Sequence, residues 1–264
     1  MRYAKKRFGQ NFLIDPNILR KIVNTIDPQK DEGIIEIGPG QGALTELLLE
    51  SGAIVHAIEI DKDLIPELET RFAGYNNFNI YNADALGFDF SPIFTKHQAV
   101  KFTGNVPYNI TSPLLEIAYY NAHALSSLLF LVQKEFAKRV TATPGNKDFG
   151  ILSLMSQYFG TPKIHFDVPP MVFRPIPKVT SSFFSIQFNS GKINYGFVKH
   201  FQIVVKTAFN KKRKTLRNSL RNIFSDNISS CPIDLGKRPE ELNLQQFILL
   251  TEFIEKNTTF FLSV

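Results

Sequence analysis

The stretch Gly33-Ile34-Ile35-Glu36-Ile37-Gly38-Pro39-Gly40-Gln41-Gly42 decides the fold, because it runs from a strand pattern straight into a glycine-rich turn. Its first five residues predict a buried strand, and Leu44, Leu47 and Leu48 follow at helical spacing. A strand, a glycine turn and a helix in this order form a nucleotide-type βα unit. The glycines let the backbone approach a ligand closely, and the helix N-terminus offers free N–H groups. The stretch therefore predicts an α/β fold with a ligand site at the turn.

Two further strand ends carry acids that suit such a ligand. The strand predicted for residues 54–60 contains Glu59, which lies 21 residues after Gly38, the spacing at which an acid reaches a ribose hydroxyl. A short strand at residues 79–82 is followed by Asp84, whose carboxylate can accept the exocyclic amine of an adenine. The same aspartate can instead cap a turn, and the local sequence leaves both roles open. Glu59 makes a ribose-bearing ligand the favoured interpretation.

The tetrapeptide Asn105-Val106-Pro107-Tyr108 follows another apolar run, residues 99–102, which predicts a buried strand. At the tip of this strand, the Asn105 side-chain oxygen and the Pro107 carbonyl can accept the two protons of an exocyclic amine. The Tyr108 ring can stack on the face of the same base. The alternative is an ordinary strand-to-loop turn, because Asn and Pro are common turn residues. The tetrapeptide alone does not decide between the two.

The positive charge of the chain is concentrated in one block. The net charge is +6, but residues 168–225 contain no Asp or Glu and eleven Lys or Arg residues, which leaves −5 for the rest of the chain. Such a block predicts a polyanionic partner, with nucleic acid favoured over a membrane, and a solvated charged surface is the alternative. The residues of the block that we expect to contact nucleic acid are Lys211, Lys212, Arg213, Lys214, Arg217 and Arg221.

A small helical domain is predicted after a linker at residues 191–196, so that the domains are residues 1–190 and 191–264. Arg213, Arg217 and Arg221 are four residues apart, which predicts a basic stripe on one face of a helix. Leu216 and Leu220 would anchor that helix. The helical patterns of this domain cover residues 197–209, 213–224 and 244–254.

A stiff loop is predicted between the last two strands, residues 163–168 and 181–188. Four of the nine residues 169–177 are prolines, which restrict the backbone. Phe173 lies within this loop, and two roles are open for it. It can pack back onto the core, or it can contact RNA as the second side of a base clamp opposite Tyr108.

The composition of the chain indicates the cellular compartment and argues against a metal site and a membrane span. Cys231 is the only cysteine, so no internal disulfide can form and a reducing, cytoplasmic compartment is expected. The five histidines are scattered without ligand spacing, and no metal is predicted. No apolar run reaches the length of a membrane span, and the basic N-terminus lacks the apolar run of a signal peptide.

Motifs of one family occur in its order along the chain. They are K-x-x-G-Q-N-F-L at residues 6–13, E-x-G-P-G-x-G-x-L-T at 36–45, I-E-I-D at 58–61, N-V-P-Y-N-I at 105–110, P-x-P-K-V at 175–179 and A-F-N-K-K-R-K-T-L-R-N-S-L at 208–220. On these residues, the chain resembles the KsgA-type (RsmA) ribosomal RNA small-subunit adenine dimethyltransferases from Lys5 to about Leu250. The departures are small: Val106 replaces a more usual Leu, and Thr180 stands where the family often has Asp.

The resemblance implies a seven-stranded, Rossmann-like methyltransferase domain that uses S-adenosyl-L-methionine, followed by a helical RNA-binding domain. It implies transfer of two methyl groups to N6 of each of two adjacent adenosines, in a hairpin near the 3′ end of small-subunit rRNA. The expected partner is small-subunit rRNA or a pre-small ribosomal subunit, and a monomer is expected. The residues that match the family's cofactor site are Asn11, Leu13, Gly38, Glu59, Asp84 and Asn105, to which the glycine turn adds Gly40.

Three rival functions share part of this pattern. A DNA adenine methyltransferase has similar N-P-P-Y chemistry. A large-subunit rRNA methylase of the macrolide-resistance type resembles the chain too, although the family resemblance implies that such enzymes lack the motif around residues 211–220. A non-catalytic ribosome-assembly factor would keep the basic block but would not need the cofactor.

Overall fold

The computed structural model describes residues 10–189, 191, 193–211, 213–224, 230–258 and 260–263. The strands of this part of the chain, in order, are β1 (Phe12–Leu13), β2 (Gly33–Ile37), β3 (Ile54–Glu59), β4 (Phe78–Asn82), β5 (Val100–Asn105), β6 (Leu125–Gln133), β7 (Gly160–Val168), β8 (Phe173–Arg174) and β9 (Ser181–Phe188). Its α-helices are α1 (Pro16–Ile26), α2 (Ala43–Glu50), α3 (Ile65–Arg71), α4 (Ser91–Phe94), α5 (Thr111–Tyr120), α6 (Lys134–Thr141), α7 (Ile151–Phe159), α8 (Tyr195–Phe209), α9 (Leu216–Ser219) and α10 (Leu244–Asn257).

Seven of the strands form one mixed sheet in the order β4-β3-β2-β5-β6-β9-β7. The strands β4, β3, β2, β5 and β6 are all parallel to one another, whereas β9 runs antiparallel to β6. All five residues of β2 are buried, as expected for a strand at the centre of a parallel sheet. The predicted α/β fold with a seven-stranded sheet is confirmed.

The chain order of these strands places a ligand site at one edge of the sheet. From β2 the chain moves outward through β3 to β4 and then returns to the other side of β2 at β5. The ends of the three central strands are level, because Ile37 is paired with Ile58 on one side and with Gly104 on the other. In open α/β sheets, ligands bind outside the carboxyl ends of the strands at such a switch point.

The first helix forms as its sequence predicts. Asp15 caps α1, because its Oδ1 accepts the backbone N–H groups of Asn17 at 2.8 Å and Ile18 at 3.0 Å. Leu19, Ile22 and Ile26 are buried on one face of this helix. The apolar face belongs to the same hydrophobic core as β2 and β3.

The described chain divides into two compact units. The first contains residues up to 137 and residues 161–189, and the second contains residues 138–160 and the described residues from 191 onward. The second unit thus includes α7, whereas the predicted boundary at residue 190 assigns it to the sheet domain. Its residues join the helical unit because α7 packs against α8 and α10.

The prediction of one helix is largely wrong. Residues 213–224 were expected to be helical, but α9 covers only Leu216–Ser219, and Arg213 has a φ of 65°, which is left-handed and ends any helix there. Instead, the backbone N–H groups of Leu216 and Arg217 donate to the carbonyls of Lys237 at 2.8 Å and Leu235 at 2.9 Å. The predicted anchors Leu216 and Leu220 are both fully buried. The arginines therefore share an anchored segment but not one face of a helix.

Among the described residues, no helix is both long enough and apolar enough to span a membrane.

Candidate active site

A cavity of about 450 Å³ opens at the carboxyl edge of the sheet, within the size range of small-molecule sites. Its lining comes entirely from the first unit. The structure brings together all nine residues that the sequence assigned to the cofactor and to catalysis: Asn11, Leu13, Gly38, Gly40, Glu59, Asp84, Asn105, Pro107 and Tyr108.

The glycine turn forms an open cradle in this cavity. Gly38 has a φ of 65°, and a Cβ atom added there would meet no atom within 4 Å. A side chain at this position would therefore be strained and would occupy the space beside the turn. Gly104 on the neighbouring strand is constrained differently, because an added Cβ would lie 2.4 Å from the Ile37 carbonyl oxygen. Glycine at 104 thus allows β2 and β5 to pair beside the cavity.

Glu59 is held at the end of β3 by backbone donors. Its Oε2 accepts the N–H of Gly40 at 3.1 Å, and its Oε1 accepts the N–H of Asp61 at 2.8 Å. Burial raises the pKa of this carboxyl, and the two N–H donors oppose that shift. Each oxygen retains a further lone pair, so the carboxylate can still accept the two hydroxyls of a ribose.

Glu36 is a cavity residue to which the sequence analysis assigned no role. It is buried, and its Oε2 accepts the Thr45 hydroxyl at 2.7 Å. Its pKa is raised to about 7, mainly by burial; the charge of Glu59 also raises it, and the Thr45 hydrogen bond lowers it. The signal that could have revealed it is an acid in the middle of an otherwise apolar strand.

Asp84 makes the turn contact that was its alternative role. Its Oδ1 accepts the backbone N–H of Leu86 at 2.9 Å, which shapes the turn after β4. The side chain is nevertheless exposed at the cavity wall, and its second oxygen can accept from a ligand. Ile60 lies on the same wall and is 45% exposed, so it offers an apolar surface beside Glu59 for a planar ring.

Asn105 ends β5 with its amide in a fixed orientation. The Nδ2 group donates to the backbone carbonyl of Asn11 at 2.6 Å. This bond holds the N-terminal segment over the cavity and leaves the Oδ1 atom of Asn105 as the acceptor that can face a ligand.

The role predicted for the Pro107 carbonyl needs correction. This oxygen already accepts the N–H of Ile110 at 3.1 Å and the hydroxyl of Thr111 at 3.2 Å at the start of α5. Both of its lone pairs are engaged, so it cannot readily accept a substrate amine. The neighbouring residue Val106 offers an alternative acceptor. Its N–H donates to the Leu131 carbonyl at 3.2 Å, but within the described part of the chain no group donates to its own carbonyl.

Tyr108 is half-buried at the cavity and is oriented through its hydroxyl. The Tyr108 Oη and the Ser181 Oγ form a hydrogen bond of 3.1 Å. Ser181 is 1% exposed at the start of β9. The sequence predicts Tyr108 only as a stacking ring, because this partner lies 73 residues away.

The predicted RNA contact of Phe173 is wrong in this structure. Its side chain is 1% exposed and belongs to the hydrophobic core, on a strand paired with Leu13. The other role considered for it, packing onto the core, is the observed one. Of the basic residues expected to contact RNA, Lys211, Arg213, Lys214, Arg217 and Arg221 are exposed, and Lys212 lies outside the described residues.

The part of the chain that the structure describes contains no group of three or more His, Cys, Asp or Glu side chains arranged to hold a metal ion.

Comparison with known proteins assigns the chain to a family. The model of the family described as ribosomal RNA adenine dimethylase matches residues 1–256. The proteins named ribosomal RNA small subunit methyltransferase A from Pseudomonas syringae pv. tomato and Hahella chejuensis are 41% and 40% identical to the chain. The first similarity covers 96% of this chain and 95% of the relative, and the second covers 95% and 93%.

Two solved structures resemble the chain over almost its whole length. The dimethyladenosine transferase from Plasmodium falciparum has a TM-score of 0.77 at 27% identity and covers 93% of this chain and 98% of its own. The 23S rRNA methyltransferase ErmE has a TM-score of 0.72 at 23% identity and covers 92% and 99%. At that identity, the likeness to ErmE concerns the fold alone.

Proposed function

Because this chain belongs to the ribosomal RNA adenine dimethylase family, we propose that its substrate is small-subunit rRNA, alone or within a pre-small ribosomal subunit. The reaction proposed is dimethylation of N6 on two adjacent adenosines in a hairpin near the 3′ end of that RNA. The observation that supports this best is the position of Asn105 and Tyr108 beside Glu59 in one cavity, where a base amine and a ribose-bearing cofactor can meet.

The cavity residues fit S-adenosyl-L-methionine, the cofactor of this enzyme family. When bound, this cofactor supplies a methyl group that is already activated by the positive sulfonium. Glu59 would accept the ribose hydroxyls, the open cradle at Gly38 would receive the ligand next to backbone, and Asp84 would accept the adenine amine of the cofactor. Ile60 would lie against the ring.

The enzyme's own residues would orient the substrate amine. The lone pair of an adenine amine is delocalised into the ring, so the amine needs to be held with that lone pair directed at the methyl group. We propose that the Asn105 Oδ1 and the Val106 carbonyl accept the two amine protons, and that the engaged Pro107 carbonyl does not. The Tyr108 ring would stack on the base. Catalysis of this kind operates by positioning and by preorganised dipoles.

The target base has to leave its stack to reach the cavity, which costs a few kcal/mol. Aromatic stacking returns about 1–3 kcal/mol per base. Phe173 is buried in the core, so of the two rings expected to clamp the base only Tyr108 can supply this stacking energy. Additional contacts to the RNA outside the cavity are therefore needed.

The small subunit is favoured over the large subunit by the degree of similarity. The relatives at about 40% identity carry small-subunit names, whereas the 23S enzyme is 23% identical. Exposed cations between Lys211 and Arg221 supply the electrostatic attraction to RNA that such a substrate requires. We further propose that the enzyme works in the cytoplasm as a monomer, during assembly of the small subunit.

The test is methylation of defined nucleic acids with S-adenosyl-L-methionine. The purified protein is offered the 3′-terminal hairpin of small-subunit rRNA, a large-subunit rRNA hairpin and the DNA copy of the first hairpin. We expect dimethylated N6 at two adjacent adenosines in the first RNA only, mapped by mass spectrometry of nuclease fragments.

Each rival has its own outcome in this experiment. Methylation of the large-subunit hairpin or of DNA would replace the proposed substrate. Binding of S-adenosyl-L-methionine by calorimetry without methylation of the free hairpin calls for a second substrate, the assembling small subunit. Failure on that substrate as well, in a protein that binds RNA, would favour an assembly factor without this activity.

A further inference from the structure

The proline-rich rim, residues 169–178, is tied to the cavity at both of its ends. At one end, the N–H of Ile14 donates to the Val172 carbonyl at 2.9 Å, and β8 pairs with β1, whose residues line the cavity. Just beyond the other end, Ser181 bonds to Tyr108. The rim therefore lies beside the position where the target base is expected to enter.

This rim exposes apolar side chains that it cannot bury. Met171 is 70% exposed and Ile176 is 61% exposed, and these are the two most exposed large hydrophobic side chains among the described residues. A flexible loop could turn such side chains inward, but prolines restrict this backbone and hydrogen bonds fix its ends. Met171 and Ile176 are thus held in water next to the cavity.

Cations accompany these apolar groups. Arg174 and Lys178 are exposed on the rim. The Nη1 atom of Arg174 donates to the carbonyls of Phe173 at 2.9 Å and Met171 at 3.1 Å, which orients the guanidinium and leaves its other N–H groups for a ligand. No Asp or Glu occurs between residues 168 and 225. Apolar side chains next to unopposed cations match a nucleic acid strand, whose bases stack and whose phosphates are anionic.

We propose that the proline-rich rim is the docking surface for the nucleotides that flank the target adenosine, with Met171 and Ile176 contacting the bases and Arg174 and Lys178 contacting the phosphates. This inference rests on the proposed RNA substrate. When the target adenosine leaves the stack, its neighbours lose a stacking partner at the mouth of the cavity. Ile, Met and Pro side chains act as wedges against unstacked bases in other nucleic-acid complexes. The buried Phe173 forms the base of this surface rather than one of its contacts.

The apolar half of the proposal is tested with the double variant Met171→Ser, Ile176→Ser. We expect its dissociation constant for the hairpin RNA to rise by about fivefold or more, about 1 kcal/mol, with an unchanged affinity for S-adenosyl-L-methionine. In a hairpin with 2-aminopurine next to the target adenosine, the fluorescence change on binding should also disappear. The matched control is Tyr120→Ser, Leu249→Ser, which removes two apolar side chains exposed elsewhere, at 46% and 47%.

The cationic half is tested with Arg174→Gln, Lys178→Gln. This variant should lower the log–log salt slope of RNA binding by about 0.7–0.9 for each phosphate that is no longer neutralised. The serine variant should weaken binding without a change in slope, because it removes no charge. Both variants keep the cavity residues, so a loss of cofactor binding would indicate misfolding. In that case the milder variant Met171→Leu, Ile176→Leu replaces the serine variant. It keeps the apolar surface and should retain its RNA affinity.

The outcomes separate this inference from the proposed function. If the wild-type protein methylates no RNA, the proposed function fails. If it methylates the hairpin but both rim variants bind as well as wild type, the rim does not contact RNA and the inference is overturned. If the rim variants are impaired only on assembling subunits and not on free RNA, the rim faces a ribosomal protein and the inference is also overturned.

Discussion

The cavity and the basic segment, residues 211–221, both present several polar side chains, but they fix them in different ways. In the cavity, both Glu59 oxygens accept backbone N–H groups, and the Asn105 amide is bonded to Asn11. In the basic segment, two buried leucines and two backbone hydrogen bonds fix the chain, while the cations described there extend into solvent.

These two arrangements suit different tasks. A cavity whose polar atoms are held by hydrogen bonds to the backbone is suited to orienting a reacting group. Exposed cations on an anchored chain need no such precision, because phosphate attraction acts over about 10 Å at ordinary salt. Changes of shape should therefore damage the cavity, whereas the basic segment should respond chiefly to changes of charge.

The largest effect is expected from Asn105→Ala. It removes the proposed acceptor of the amine, so kcat at saturating cofactor should fall by about 100-fold or more, while RNA affinity changes far less. Single-turnover methylation measures the first quantity, and filter binding measures the second. The control Asn76→Ala removes an exposed amide outside the cavity. A variant with weaker cofactor binding but normal kcat would mean that Asn105 serves only to hold the N-terminal segment.

A second change within the cavity, Glu59→Ala, should act on the cofactor alone. It removes the proposed ribose acceptor and one anchor of the glycine turn, so affinity for S-adenosyl-L-methionine should fall at least about tenfold, or about 1.4 kcal/mol. Calorimetry on the folded variant gives this value, with exposed Glu50→Ala as the matched control. Unchanged cofactor affinity in a folded protein would remove Glu59 from the site.

The third prediction moves to the basic segment. Replacing Arg213, Arg217 and Arg221 by Gln should weaken RNA binding severalfold and lower its log–log salt slope by about 0.7–0.9 for each phosphate that these side chains neutralise in the wild type. Affinity for S-adenosyl-L-methionine should not change, because the cavity is formed entirely by the other unit. Titrations at several salt concentrations measure the slope.

A charge-matched control separates specific contacts from overall charge. The control replaces three exposed lysines of the first unit, Lys30, Lys62 and Lys163, by Gln. It therefore removes the same number of positive charges as the arginine variant. If the two triple variants gave the same slope, the arginines would contribute only to net charge. The failed prediction of a helix at Arg213 makes this test necessary, since the three arginines do not share a helix face.

The two regions also differ in how far they could be predicted from the sequence. Strands and the glycine turn were predictable, because apolar runs and glycine spacing depend on neighbouring residues. Contacts between distant residues were not predictable, which is why the Tyr108–Ser181 bond was missed. The bond from the Thr111 hydroxyl to the Pro107 carbonyl is local, but it depends on how the chain turns into α5. The periodicity of Arg213, Arg217 and Arg221 indicated a helix, but bonds to residues 235 and 237 determine the backbone there. The burial of Phe173 likewise depends on the pairing of β8 with β1.

The last prediction, Glu36→Gln, concerns stability, and its effect should depend on pH rather than on salt. Burial raises the pKa of Glu36 from 4.5 to about 7, so the folded protein holds this proton where the unfolded chain has released it. The stability that the neutral carboxyl contributes is fully present below about pH 4.5 and is lost as the pH rises through about 7. Glutamine is neutral throughout and can still accept the Thr45 hydroxyl. The free energy of unfolding of the variant, relative to wild type, should therefore increase between pH 4.5 and pH 8, as measured by urea titration.

The exposed control Glu50→Gln should show no such trend, and added salt should change the result little because Glu36 is buried. Parallel pH profiles for Glu36→Gln and wild type would mean that Glu36 is ionised in the folded protein, and the cavity would then carry a fixed negative charge at its floor.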